Sequence, residues 1–511
     1  MIRLLALLLA LSAPAYAQNV LRVVPQADLR VLDPHVTAAT VTRIYGLMVY
    51  DQLYAYDETM RPLPQMVGAT TVSADKLTWD FTLRAGLVFH NGQPVTATDV
   101  IASLKRAGKQ DSMLQLMLQR LARMDAIDAT HFRLVFTRPF PLVEAALAGG
   151  GTVIMRAADV EAAGDKPMTT TIGSGPFRFN TAQYLPGAKV VFDRNQAYVP
   201  RNELANGVAG GKRVLVDRVD WLVIPDLQTR VSALIKGEVD FLDQLPHDGL
   251  QSLQGRSDVV IGESSKLGNI AFLRMNTLQP PFNDVRARRA IAMLVDQRDY
   301  LAAAFTTDPT WWHECFAFLG CGSVNASEAG SESYRKPNPA EAKRLLAEAG
   351  YKGEKIVILT TSEIPLIDAL AQVTADKLRA IGVNVDLQAS DWGSLVVRRA
   401  RKDPTDKGGW NIFQSGSDIS TLAQPATNLL TDARCDGNNY VGWPCSNRLE
   451  ALRADLIDNP APEKFIAYNK AVWEELPSVL LGLYKQPLAH RSNISGLLHG
   501  NTLVFWNIEK K

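Results

Sequence analysis

At 511 residues the chain is too long for one hydrophobic core, so about two or three domains are expected. A composition that is 47% hydrophobic and 21% charged is ordinary for a soluble globular protein. Lysine plus arginine (54) nearly cancels aspartate plus glutamate (53), which leaves no whole-chain field to hold nucleic acid or an anionic membrane.

The chain opens with charge at Met1-Ile2-Arg3, an apolar run at Leu4–Leu11 and a small-x-small site at Ala15-Tyr16-Ala17. That is the pattern of a secretory signal peptide cut after Ala17. The run is too short to span a bilayer, and no cysteine near the cut could carry a lipid. No later uncharged run reaches spanning length, so the mature chain, Gln18–Lys511, is expected to be exported without membrane insertion.

From Val20 the residues LRVVP read as a strand, followed by a loop through Leu32-Asp33-Pro34. A helix follows, capped by Thr37 or Thr40, with Ile44, Leu47, Met48 and Leu53 at helical spacing. Leu77–Arg84 alternates and reads as a strand. Asn91-Gly92 then centres a turn, Thr98-Asp99 caps a helix through Val100 and Leu104, and His131–Thr137 alternates again. After Met168 the character changes. Ile172–Phe177 is a rigid Gly/Pro turn into a strand at Phe177–Phe179, and Lys189–Asp193 and Val214–Ile224 are further strands. Gln228–Ile235 is a short helix ending at Gly237.

Asn269 begins a strand (IAFLRMN), a turn and a basic-faced helix, Val285–Leu294, which together look like the entry to another domain. There Asn338, Pro339 and Glu341 form a strong helix start, closed at Gly350. The run of strand Lys355–Thr360, helix Leu366–Ala380 and strand Val383–Gln388 argues for an α/β domain with a parallel pair. Leu480–Tyr484 and Leu503–Trp506 are strand-like and would return the chain to the first domain.

Gly408–Cys445 carries the residue types that line ligand pockets. Trp410, Phe413, Tyr440 and Trp443 offer flat apolar faces, Gly416 allows close approach, and Asp418 is a lone negative charge. The four cysteines, in an exported chain, suggest disulfides, and sequence proximity favours Cys315–Cys321 and Cys435–Cys445 among three pairings. A metal site is the rival, because His313 stands two residues before Cys315, but no CxxC or second ligand pair accompanies it. The run Gly207–Lys212 fails as a phosphate loop, with Asn206 at the first glycine position and Arg213 in place of Ser or Thr. No HExxH or GxSxG is present, and neither a cofactor nor a catalytic set is indicated. Numerous Asp and Glu residues could still meet as an acid–base pair, so an exported hydrolase stays open.

Taken together, the strings resemble the family 5 extracellular solute-binding proteins of bacterial ABC importers, the dipeptide, oligopeptide and nickel binders. The resemblance is carried by Leu32-Asp33-Pro34, Tyr50–Leu53, Trp79–Leu104, Gly173–Phe177, Arg194-Asn195 with Tyr198, Gly237–Asp240 and Pro281–Arg286. It implies a two-lobed periplasmic α/β binding protein of type II-like fold with an accessory subdomain and a hinged cleft. The expected boundaries are a signal peptide over 1–17, a first lobe over 18–45, 170–272 and 482–511, an accessory subdomain over 46–169, and a second lobe over 273–481. The implied role is a monomeric, non-enzymatic periplasmic component that captures short peptides for an inner-membrane ABC permease. An opine, sugar, amine or metal chelate is the alternative ligand. In the family's peptide binders a second-lobe aspartate pairs with the peptide's amino group; Asp418 is the nearest match, although no Trp follows Gly416. Trp410, Phe413, Gly416 and Tyr440 would form one wall of the cleft with it, and Thr37 would begin the other. The Cys435–Cys445 bridge would brace the wall.

Overall fold

The structure is a computed structural model that describes residues 18–511 except 38, 246, 264, 306, 307 and 501. The signal-peptide reading therefore lies outside the described residues. Two large sheets dominate. The first has seven strands, in the order Phe177–Phe179, Lys189–Arg194, Arg218–Leu222, Val20–Val24, Phe241–Leu242, Pro487–Arg491 and Val259–Glu263. Val20–Val24 runs parallel to both of its neighbours, and the flanking pairs are antiparallel. The second has six strands, in the order Trp312–His313, Val479–Tyr484, Asn269–Met275, Ile412–Asp418, Ile356–Thr360 and Val385–Ala389. The expected parallel pair is present: Ile356–Thr360 lies parallel to Val385–Ala389. Its IVILT side chains are all buried, as suits a strand covered on both faces.

A four-stranded antiparallel sheet, Val67–Val72, Thr78–Leu83, His131–Phe136 and Leu121–Ala126, stands apart from both. Thr78–Leu83 alternates as its sequence requires. Phe81 is buried and stacks on its cross-strand partner Phe132 with ring centroids 4.8 Å apart. The helix after it, Ala97–Ala107, starts earlier than expected. Thr96, not Thr98, is the cap, in a reciprocal box with Asp99. Thr40–Val49, by contrast, has no side-chain cap: its N-cap residue is Ala39, and the Thr37 hydroxyl accepts from Ala39 N–H outside the helix. Asn338 caps Pro339–Glu348 as expected, but Glu341 turns its carboxylate to Arg344 instead of back to the cap.

Two segments cross between the large sheets. The expected boundaries at 272/273 and 481/482 fall inside Asn269–Met275 and Val479–Tyr484, which are ladder partners in the six-stranded sheet. Dividing either strand would break that ladder, so the chain crosses before Asn269 and after Tyr484. An ion pair between Lys485 and Glu263 ties the two crossings together. Leu503–Trp506 forms no strand; Phe505 packs edge-on to Trp221 and Phe241, so the run is buried by its side chains and not by a ladder. The two sides of the cleft touch. Val324 N–H donates to Thr59 O (3.3 Å), Lys266 pairs with Glu58 (2.7 Å), and Arg120 and Arg138 both reach Asp458.

Candidate functional site

Strand Ile412–Asp418 runs from a buried to a half-buried end. Ile412, Phe413 and Gln414 are buried, whereas Ser415 to Asp418 are half-buried. One edge pairs with Asn269–Met275 along its whole length. On the other edge, Ile356–Thr360 meets only Ile412 and Phe413, so the Ser415–Asp418 edge has no ladder partner among the described residues. Backbone donors and acceptors left open at a strand edge can pair with an extended chain. At Gly416 an added Cβ would lie 2.3 Å from the Tyr484 hydroxyl; only glycine lets that ring, stacked on Phe305 at 4.3 Å, cross the strand.

Asp418 closes the strand and caps the short helix Ile419–Leu422. Its carboxylate accepts from Ser420 N–H at 2.6 Å, and Ser417 and Thr421 hydroxyls meet beside it at 2.9 Å. Burial pushes the Asp418 carboxyl up from the usual range, partly offset by Ser420 and by the more distant Arg43 guanidinium. Arg43 comes from helix Thr40–Val49 and rests against Gly150. Its Nε is buried without a hydrogen-bond partner among the described residues. Asp418 forms no ion pair with it. A carboxylate and a guanidinium within electrostatic reach of each other but not paired can take up the two ends of a dipolar ligand.

The other expected site residues divide. Thr37 is half-buried at the entry to the Arg43 helix, with its hydroxyl on Ala39. Trp410 and Phe413 do not line the cleft: both are fully buried, packed edge-on at 5.3 Å, with Trp410 Nε1–H donating to Arg399 O. They form the core behind the wall. Tyr440 is half-buried and covers the guanidinium of Arg274 at 5.3 Å. Arg274, which sequence reasoning passed over inside an apolar strand, is wholly buried. It donates to the carbonyls of Leu429, Leu430, Tyr440, Val441 and Pro477 and to Ser478 Oγ. Both expected disulfides, Cys315–Cys321 and Cys435–Cys445, are formed. The second closes a loop beside that network. Lys212, at the end of the rejected phosphate-loop run, is fully buried with Nζ 2.8 Å from Asp51 Oδ1, so it faces no ligand.

A further carboxyl lies at the end of strand Phe241–Leu242, beside the carboxyl end of Val20–Val24. Asp243 is buried and accepts from Gln26 N–H at 3.2 Å, and burial raises its carboxyl to about 6. A folded value above the unfolded 3.8 means that its contribution to stability is present below about pH 4 and lost as pH rises through about 6. Asp243→Asn is therefore expected to gain up to about 3 kcal/mol at pH 7.5 and nothing at pH 4. Urea unfolding at the two pH values measures this, and an equal effect at both would contradict it.

The chain has clear relatives. The sequence pattern of the bacterial extracellular solute-binding proteins, family 5, matches residues 61–440. The chain is 39% identical over 494 residues to a probable peptide ABC transporter periplasmic-binding protein, y4tO, of Sinorhizobium fredii, covering 94% of this chain and 92% of the relative. It is 25% identical over 497 residues to the glutathione-binding protein GsiB of Salmonella typhimurium, with the same coverage. Among solved structures it is similar to the dipeptide-binding protein of Pseudoalteromonas sp. SM9913 in complex with Met-Leu. That match has a TM-score of 0.76 at 18% identity and covers 96% of this chain and 100% of the other. It is also similar to AgaA of A. tumefaciens R10 in complex with agropinic acid, with a TM-score of 0.77 at 23% identity, covering 96% and 99%. These two structures share its fold. No helix among the described residues is long and apolar enough to cross a membrane.

Proposed function

Because the chain belongs to the family 5 bacterial extracellular solute-binding proteins, we propose that it captures short peptides between its lobes and delivers them to an inner-membrane ABC permease. What supports this reading is the edge of Ser415–Asp418, open among the described residues, ending in a carboxylate that accepts from Ser420 N–H and forms no ion pair among the described residues. The edge suits an extended peptide backbone, and Asp418 suits its α-ammonium. Arg43, within electrostatic reach of Asp418, suits an anionic group of the same ligand. The S. fredii relative, named for peptide transport, supports the same substrate class. In this reading the protein is exported, cut after Ala17, works as a monomer and binds without turning its ligand over.

The test is calorimetry with a tripeptide and its N-acetylated form. Asp418→Asn is expected to weaken binding of the free-amine peptide by about 2–5 kcal/mol, as for truncating one partner of a buried charge pair. The acetylated form should bind poorly to both proteins. Unchanged affinity in the variant would remove Asp418 from the site. A melt separates capture from hydrolysis: ligand at 100 times Kd adds about 2.7 kcal/mol of stability, and chromatography of the same sample should return the peptide intact.

A further inference from the structure

Strand Val479–Tyr484 ends beside Asp418. Asn269 pairs with Tyr484 on one side and with Asp418 on the other, so the three stand in one row at the end of the six-stranded sheet. Directly paired residues of antiparallel strands turn their side chains to the same face. Gly416 belongs to that face as well, because it lies two residues before Asp418 on its strand. The Tyr484 ring stacks on Phe305 at 4.3 Å and reaches over the row until Oη lies 2.3 Å from where a Cβ on Gly416 would stand. Leu366 Cδ2 lies 3.4 Å from the same point, so helix Pro365–Ala380 adds an apolar wall there.

Two polar groups meet at this place without bonding each other. Tyr484 is only 8% exposed, and its hydroxyl makes no hydrogen bond among the described residues. A buried phenol usually finds a partner. Asp418 gives Oδ1 to Ser420 N–H at 2.6 Å, which leaves Oδ2 without a hydrogen bond among the described residues. Burial, and then the nearby Asp418 charge, push the Tyr484 phenol up, so it stays neutral and keeps an acceptor lone pair. Same-face neighbours on a strand stand roughly 6.7 Å apart. An ammonium that donates to two oxygens at about 2.8 Å each bridges up to roughly 5.6 Å. The spacing of the two positions therefore suits one bridging nitrogen rather than a direct bond between the oxygens.

We propose that the Tyr484 hydroxyl is a second contact for the ligand's ammonium, accepting one of its N–H groups while Asp418 accepts another. This rests on the peptide reading above, in which Asp418 meets the α-ammonium. Asp418 supplies the charge and Tyr484 supplies a second direction, so the pair selects an amine that carries at least two N–H groups. Glycine at 416 leaves room for the hydroxyl, since a methyl group there would take its place.

Calorimetry on the full mature chain, with Ala-Ala-Ala and with the same peptide dimethylated at its amine, tests this. The dimethyl form stays cationic but keeps a single N–H, which goes to the carboxylate. Tyr484→Phe is expected to weaken Ala-Ala-Ala about tenfold, the usual effect of one hydrogen bond to a charged group, and to leave the dimethyl peptide unchanged. The phenylalanine ring keeps the stack on Phe305, so an equal loss for both peptides would mark a packing role and overturn the inference. Unchanged affinity for Ala-Ala-Ala would overturn it too and leave the peptide reading standing. Failure of Ala-Ala-Ala to bind the wild-type protein overturns both.

Discussion

Lys212→Met is expected to destabilise the protein by about 3–5 kcal/mol, the usual loss when one partner of a buried ion pair is removed. Lys212 and Asp51 are both fully buried, with Nζ 2.8 Å from Oδ1 and 4.8 Å above the Trp506 ring. Without the ammonium, Asp51 keeps Tyr198 O–H at 2.9 Å and Gln52 N–H at 3.0 Å, while Arg84 stands 4.0 Å away. Two neutral donors do not replace a cation in an apolar interior. Because the damage is the stranded carboxylate, Asp51→Asn added to Lys212→Met should recover much of the loss. Urea unfolding of the single and double variants measures the coupling. A loss under about 1 kcal/mol in the single variant would show that Tyr198 and Arg84 already satisfy Asp51.

Arg274→Met is expected to cost a similar amount, about 3–5 kcal/mol, through a different route. Here no carboxylate is stranded. The side chain gathers carbonyls from Leu429–Leu430, Tyr440–Val441 and Pro477; on its removal Leu430 O keeps the Ser478 hydroxyl and Tyr440 O keeps Trp443 N–H, while those of Leu429, Val441 and Pro477 lose this donor. Burial lowers the guanidinium to about 10, still high enough to keep it charged at neutral pH. Arg274→Lys should rescue only partly, since an ammonium lacks the planar fork that reaches separated acceptors. The backbone of 429–442 should lose hydrogen-exchange protection before the rest of the six-stranded sheet does. Equal loss of protection throughout the sheet would mean that Arg274 supports the whole core and not this wall.

Several features were legible because their cause is local. Val285–Leu294 was readable from apolar spacing, the Asn338-Pro339 start from cap chemistry, and Ile356–Thr360 from an apolar run bounded by helices. The two short cysteine spacings allowed the bridges that formed. The misreadings have one origin. Trp410 and Phe413 were expected at the cleft because they are aromatic. Whether an aromatic ring faces ligand or core depends on what packs against its strand, and here each is shut in by the other. Leu480–Tyr484 was assigned to a return to the first domain, but its partner is Asn269–Met275, about two hundred residues earlier in the chain.

By itself the sequence determined the kind of protein: its family's ordered motifs, and its local helices and strands. Only the tertiary structure decided what lies near Asp418. Arg43 belongs to a helix with no local mark of function, and only folding brings its guanidinium within electrostatic reach of Asp418. The same holds for Lys212, which ends a glycine-rich run and is recognised as structural only once Asp51 and Trp506 enclose it. Caps and periodicity act between near neighbours along the chain, whereas a cleft is made of side chains that meet only after long loops have closed.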